Sequence, residues 1–551
     1  MTNRGVAVWV TCLAMGFLSA QQQDPPQLVL KETTRLVQMS VVVHDKKGQP
    51  VTDLKKNDFQ IKVDGKVQPI RVFSIEASGT LPVAAARLPP NVFTNRLEQR
   101  ASTPSSVTII LLDALNTRYS DQAYAKAQIV KYLKTIEPGD HIGLYALGSS
   151  LLVLHDYTSD SSDLIRKLAT YDGGNLPAIP GPGAPGPFDA DALQLHQWLR
   201  GGASAAERSF YLTNRIEGTL HAIEFIANHL AGIPGRKNLI WVSGGFPLAI
   251  GYDSLAAWRN PGVEQRTFTE EVNRTVQAVN NANMAIYPVD ARGLMVDPKF
   301  SAERGGIDLD ARGNVMNPGA APIHPPVGVR NQESMQELAS RTGGKAYMNT
   351  NDLQHAIRDA VTDSEVTYML GFYPTDEKFD SKFHQIKLEV RERSGLNLRY
   401  RKGYFDLPEL PQDENTRRAG LRDAVWSPID ATAMAVTVEA KPTNTPHLGS
   451  VDVFVKVEAS SLQLQQQNGR WAGQLDMLFV QKDNRGNQYN GKVETVSLNL
   501  LPATYQRLVS EGLVYKHTLD RDRRAKELRV VVRDSASGSI GSVTVPFDEI
   551  H

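Results

Sequence analysis

Two apolar runs separated by only three small residues constrain this chain more than any other feature. Ile142-Gly143-Leu144-Tyr145-Ala146-Leu147 and Leu151-Leu152-Val153-Leu154-His155 are joined by Gly148-Ser149-Ser150. Parallel neighbours need a crossover of about a dozen residues, so these two strands must pair antiparallel. Around the hairpin the pattern alternates strand with helix, the order of a doubly wound α/β sheet. The apolar run Val107 to Leu112 comes first, and a helix follows over about Ser120 to Ile136. Ser120 is placed as its N-cap, with Ala123, Ile129, Val130 and Leu133 facing inward. After the hairpin come helices near Leu164 to Thr170 and Arg215 to Leu230, then a strand over Asn238 to Ser243. A helix over about Glu264 to Asn281 leads into the strand Met284 to Asp290, and helices near Ser334 to Arg341 and Asp352 to Thr362 finish the alternation. One antiparallel strand in an otherwise parallel sheet excludes most doubly wound arrangements.

The flanks are patterned differently. Residues 27–76 alternate apolar with polar and carry Gly-bearing turns such as Asp45-Lys46-Lys47-Gly48, which predicts short β-strands. Residues 77–106, with Pro89-Pro90, are read as a linker, and residues 366–406 return to strand patterning. Neither flank has many strands, so together they are expected to complete one β-sandwich around an α/β domain at 107–365. Residues 418–551 are read as a second, C-terminal β-sandwich. A chain of 551 residues is long enough for about three such domains.

Lys and Arg total 60 against 60 Asp and Glu, with no long run of one sign, so nothing points to nucleic acid or an anionic membrane surface. Residues 1–20 read as a secretory signal peptide: Arg4, an apolar core from Val6 to Leu18, and Leu18-Ser19-Ala20 before the cleavage point. An uncleaved N-terminal anchor is the alternative; no membrane span is expected after signal cleavage. The only cysteine, Cys12, lies inside that core, so a cleaved chain holds no thiol, disulfide or cysteine-zinc site. Export without disulfides suits a periplasmic or secreted location.

The first apolar strand ends in Asp113-Ala114-Leu115-Asn116-Thr117, an acidic, hydroxyl-bearing loop where open α/β sheets place ligands. That loop, the strand-helix-strand-turn-strand order and Gly218-Thr219 on a later helix together resemble a von Willebrand factor A domain. Three phrases bring the chain closer to bacterial exported VWFA-related domain proteins: Val51 to Phe59 (VTDLKKNDF), Gly235 to Pro247 (GRKNLIWVSGGFP) and Ala339 to Tyr347 (ASRTGGKAY). The resemblance covers about Leu28 to Phe405 and implies a Rossmann-like domain combined with β-sandwiches. It also implies Mg²⁺ at the sheet top, held by an Asp-x-Ser-x-Ser loop, a loop Thr, and an Asp after the fourth strand. A hard divalent ion wants about six oxygens. Asp113 and Thr117 keep two of the implied positions, Leu115 replaces the middle hydroxyl, and Gly244 stands where the second Asp belongs. The loop Thr is Thr219 or Thr213, and Asn116 offers an amide oxygen. The expected metal residues are therefore Asp113, Asn116, Thr117 and Thr219, with the divalent cation bound weakly or not at all. The alternative for Asp113, Asn116 and Thr117 is that they cap their own loop.

Other motifs carry less chemistry. Gly244-Gly245 lacks a dinucleotide spacing, Gly343-Gly344-Lys345 lacks a phosphate loop's flanks, and Ser243 is in no Gly-x-Ser-x-Gly elbow. His221, Glu224 and His229 share a helix without metalloprotease spacing and are read as a solvated or packing face. Asp290 and Asp297 are placed at the sheet top, Trp241 in the core and Phe246 as a residue open to exposure. The expected function is non-enzymatic protein binding or scaffolding, with no catalytic residues, no organic cofactor and an unidentified protein partner. A metal-dependent adhesion module is one alternative. A hydrolase using Asp113, Asp290 and His155 is the other.

Overall fold

The computed structural model describes residues 36–77, 88–96, 106–136, 140–171, 205–246, 248–250, 266–294, 327–363, 366–375, 382–405, 414–443 and 449–551. The signal-peptide reading, the two Gly/Pro-rich excursions and Asp297 lie outside these residues.

In the central module the elements are β1 (Val107–Asp113), α1 (Tyr119–Leu133), β2 (Ile142–Leu147), β3 (Leu151–Thr158), α2 (Ser161–Thr170), α3 (Ala205–Leu230), β4 (Lys237–Ser243), α4 (Thr269–Asn281), β5 (Met284–Asp290), α5 (Val327–Thr342) and α6 (Leu353–Thr362). The sheet order is β5-β4-β1-β2-β3. β5, β4, β1 and β2 are parallel, and β3 runs antiparallel beside β2. The module is a Rossmann-like α/β sheet. Strand alternation then decides which face each residue serves. Ile109 and Leu111 of β1 pack with Leu220 and Ile223 of α3 and Met335 of α5, while Ile110 and Leu112 pack with Ile129 of α1 and Ile357 of α6. Helix α1 is preceded by Arg118 at the N-cap position instead of Ser120, and α3 starts ten residues earlier than its apolar periodicity shows.

Strands on both sides of this module pair with one another. Val37–His44 lies between Val366–Phe372 and Asn397–Arg399, and Ile70–Ala77 pairs with Val366–Phe372. A second sheet joins Gly403–Phe405, Phe383–Val390, Phe59–Val63 and Lys66–Gln68. Tyr368 ties the layers: its hydroxyl accepts from Leu54 N at 3.1 Å and donates to Val51 O at 2.8 Å.

The C-terminal region has a sheet of Leu513–Asp520, Ser450–Val457, Val436–Pro442 and Val92–Thr94, and a second built on Arg470–Lys482 and Glu527–Asp534. Val92–Thr94 corrects the reading of residues 77–106 as a linker, because three of those residues are an edge strand. Asn95 secures the graft: its Nδ2 donates to Ala431 O (2.6 Å) and Met434 O (2.7 Å), and its Oδ1 accepts from Val436 N (2.8 Å). The C-terminal region also docks on α3. Thr432 N donates to Asn228 O, Thr432 Oγ1 donates to His229 O, and Ile429 enters the central core. No helix among the described residues is long and apolar enough to cross a membrane.

Candidate functional site

Alternation brings Asp113, Trp241 and Ser243 to the α3 side of the sheet, because Leu111 pairs with Trp241 and Leu112 with Val242. Asp113 is fully buried at the end of β1. Its carboxylate accepts four hydrogen bonds: Asn116 N at 3.0 Å, Asn116 Nδ2 at 2.8 Å, Trp241 Nε1 at 2.9 Å and Ser243 Oγ at 2.7 Å. Burial pushes the carboxyl above its ordinary range, and the donors from Ser243, Asn116 and Trp241 offset that rise only in part.

Asn116 is the hinge of the arrangement. Its amide nitrogen donates to both Asp113 Oδ2 and Thr219 Oγ1 (2.7 Å), and its amide oxygen accepts from Arg215 Nη2 at 3.2 Å. The guanidinium fixes the amide orientation, since a flipped amide would set its NH₂ against a cation that only donates. Thr219 in turn donates to Arg215 O at 2.8 Å, one α3 turn back. Thr117 faces the other way, accepting from Gly244 N at 3.0 Å, and Gly245 N donates to Ser243 Oγ at 2.9 Å.

The structure thus joins Asp113, Asn116 and Thr219 in one hydrogen-bonded network and sets Thr117 on its rim. This donor set does not fit a divalent cation. Such an ion needs convergent oxygen acceptors, whereas Asp113 meets N–H and O–H donors and Asn116 turns nitrogen towards it. Leu115 fills an apolar slot, its Cδ2 3.7 Å from where a Cβ on Gly218 would lie. Among the described residues no cluster of three His, Asp or Glu side chains could hold a metal ion.

Of the two threonines open as the loop Thr, Thr219 is the one that hydrogen-bonds to Asn116; Thr213 lies more than a turn away from it along α3. Asp290, two strands from Asp113, is closed off by Arg292 Nε and Nη2 (both 2.8 Å) and by Gln332 Nε2 (2.9 Å). His155 pairs with Leu144 in mid-sheet and meets Asp163 of α2 at 2.6 Å, far from the sheet top. The three hydrolase candidates therefore do not converge. Glu224 accepts from Arg274 and from Thr275 Oγ1 (2.7 Å), and His229 Nδ1 contacts Asp430 O at 2.7 Å, which makes both packing residues of α3. Phe246 corrects its expected exposure: it is buried, with its ring 5.5 Å from that of Trp241.

Sequence reasoning missed Arg215, Ser243 and the indole of Trp241 as members of the network. Strand parity with Asp113 was the signal for Ser243 and Trp241. Arg215 had none, because its contact with Asn116 spans 99 positions.

No protein-family model matches the sequence, and no curated protein matches it. Among solved structures it is similar to an aerotolerance-related membrane protein from Bacteroides fragilis NCTC 9343 (16% identity, 46% of this chain and 98% of that one, TM-score 0.24). It is also similar to a von Willebrand factor type A protein from Catenulispora acidiphila (10% identity, 65% and 80% covered, TM-score 0.24). A third is the three N-terminal domains of the type V pili tip protein Mfa5 from Porphyromonas gingivalis (10% identity, 87% and 77% covered, TM-score 0.26). At TM-scores this low the fold reading rests on strand order alone.

Proposed function

We propose that this chain is an exported, non-enzymatic protein-binding or scaffolding protein built around a von Willebrand factor A-like module. On this reading the module meets its partner at the sheet top without a bridging divalent ion. One observation carries the reading: both oxygens of Asp113 are taken up by donors of the protein itself. A buried carboxylate already satisfied this way gains little from a cation and would lose three partners to admit one. The separation of Asp113, Asp290 and His155 supports a binding role over a hydrolytic one. Export rests on the signal-like residues 1–20 and the single cysteine within them.

The test is the melting temperature of the chain purified from EDTA, with and without millimolar Mg²⁺ or Mn²⁺. An ion binding only the native state raises it by mass action. No rise is expected from either ion, and a saturable rise that Asp113→Asn abolishes would establish the metal-dependent adhesion reading instead. Affinity capture with the exported chain then identifies the partner.

A further inference from the structure

We infer that Arg215 is a receptor for a carboxylate group presented by the protein partner at the sheet top. The inference rests on the cation-independent reading above and deepens it. Arg215 is half-buried on α3, and its Nε is buried with no hydrogen-bond partner. Its one side-chain hydrogen bond among the described residues is Nη2 to the neutral oxygen of Asn116. No carboxylate among the described residues lies within ion-pair distance of it. Arg266, Arg274 and Arg292 of the same module are, by contrast, matched by Glu217 and Glu271, Glu224, and Asp290.

Asp113 is the nearest opposing charge, but Asn116 stands between them and its carboxylate is already saturated. A desolvated guanidinium left with a neutral acceptor is costly, since buried charge is stabilised chiefly by an opposite, hydrogen-bonded partner. Its planar fork matches a carboxylate in two parallel N–H···O bonds, and an incoming oxygen would satisfy the orphaned Nε–H. A monoanion suits the position better than a phosphate dianion, because Asp113 lies one side chain beneath and repels extra negative charge.

The experiment follows the Nε–H resonance of Arg215 and the indole N–H resonance of Trp241 in the ¹⁵N-labelled full chain in EDTA. Acetyl-Glu-amide and acetyl-Gly-Gly supply a side-chain and a terminal carboxylate, and acetyl-Gln-amide is the neutral isostere. At constant ionic strength, at least one carboxylate is expected to shift both resonances saturably, and the isostere to leave them unmoved. The tighter of the two identifies the source of the acid. In Arg215→Gln the affinity should fall roughly tenfold or more, and Arg215→Lys should retain part of it. Shifts absent with both carboxylates, or reproduced by the isostere, overturn the inference in the wild-type chain alone, whether or not a variant folds. Failure here with no Mg²⁺ stabilisation sinks only the arginine assignment, whereas Mg²⁺ stabilisation sinks the reading beneath it.

Discussion

Gly244 shows how tightly the end of the sheet closes. A Cβ there would lie 2.6 Å from the backbone oxygen of Asn116, a contact that no rotamer relieves. The resemblance puts a metal-binding Asp at this position, yet the chain has no room for one. Gly244→Asp combined with Leu115→Ser is therefore expected to destabilise, by about 1–3 kcal/mol for the overpacking at Gly244 and further for the apolar packing lost at Leu115. Its melting temperature should fall and stay down in Mg²⁺; recovery in Mg²⁺ by calorimetry would show that the loop can reopen into a cation cage. The two departures were legible in the sequence as missing ligands. What they had become was not, because Leu115 meets Gly218 and Gly244 meets Asn116 only after the chain has folded across more than a hundred positions. Asp113 was legible as special for the same reason that it is buried: it ends a continuous apolar run on the strand that lies at the centre of the sheet.

Val92–Thr94 carries the corresponding lesson for elements. Strand propensity over three residues after Pro89-Pro90 is too weak a signal, and the pairing partner Thr437–Glu439 lies far along the chain. The long strands of the central sheet were legible because parallel strands buried on both faces need unbroken apolar runs, and the hairpin was legible because its turn is so short. Asn95 supplies the measurement. It is buried and makes three backbone hydrogen bonds, so Asn95→Ala strands two carbonyls and one N–H inside the C-terminal sandwich. The expected cost is about 2–4 kcal/mol. Hydrogen exchange should then quicken in Val436–Pro442 and leave Lys237–Ser243 unchanged. Equal quickening in both would mean that the edge strand supports the whole molecule and not one sandwich.

At the scale of the whole molecule, the central sheet is held from below by charge. Arg399 of the N-terminal sandwich places Nη2 2.6 Å from Asp363 Oδ1, just past α6, and 2.8 Å from His44 Nδ1. Arg236 reaches Tyr287 and the Gly343 carbonyl beside them. Burial raises the Asp363 carboxyl from 3.8 to about 6, with Arg399 and Arg236 opposing. Between those values the unfolded chain has released this proton and the native one still holds it. Stability therefore falls as pH rises from about 4 to about 6 and then levels, by at most ~3 kcal/mol for this group. His44, whose value burial and Arg399 depress below 6.5, acts with the opposite sign as pH rises towards 6.5. It remains in Asp363→Asn, so the subtraction leaves the acid together with its coupling to His44, 4.0 Å away. The melting temperature of the wild type minus that of Asp363→Asn should decline between pH 4 and 6 and stay level above. A difference independent of pH would mean that Asp363 is ionised throughout and that the ion pair with Arg399 outweighs its burial. The joint between sandwich and sheet would then be a fixed salt bridge, insensitive to acid in this range.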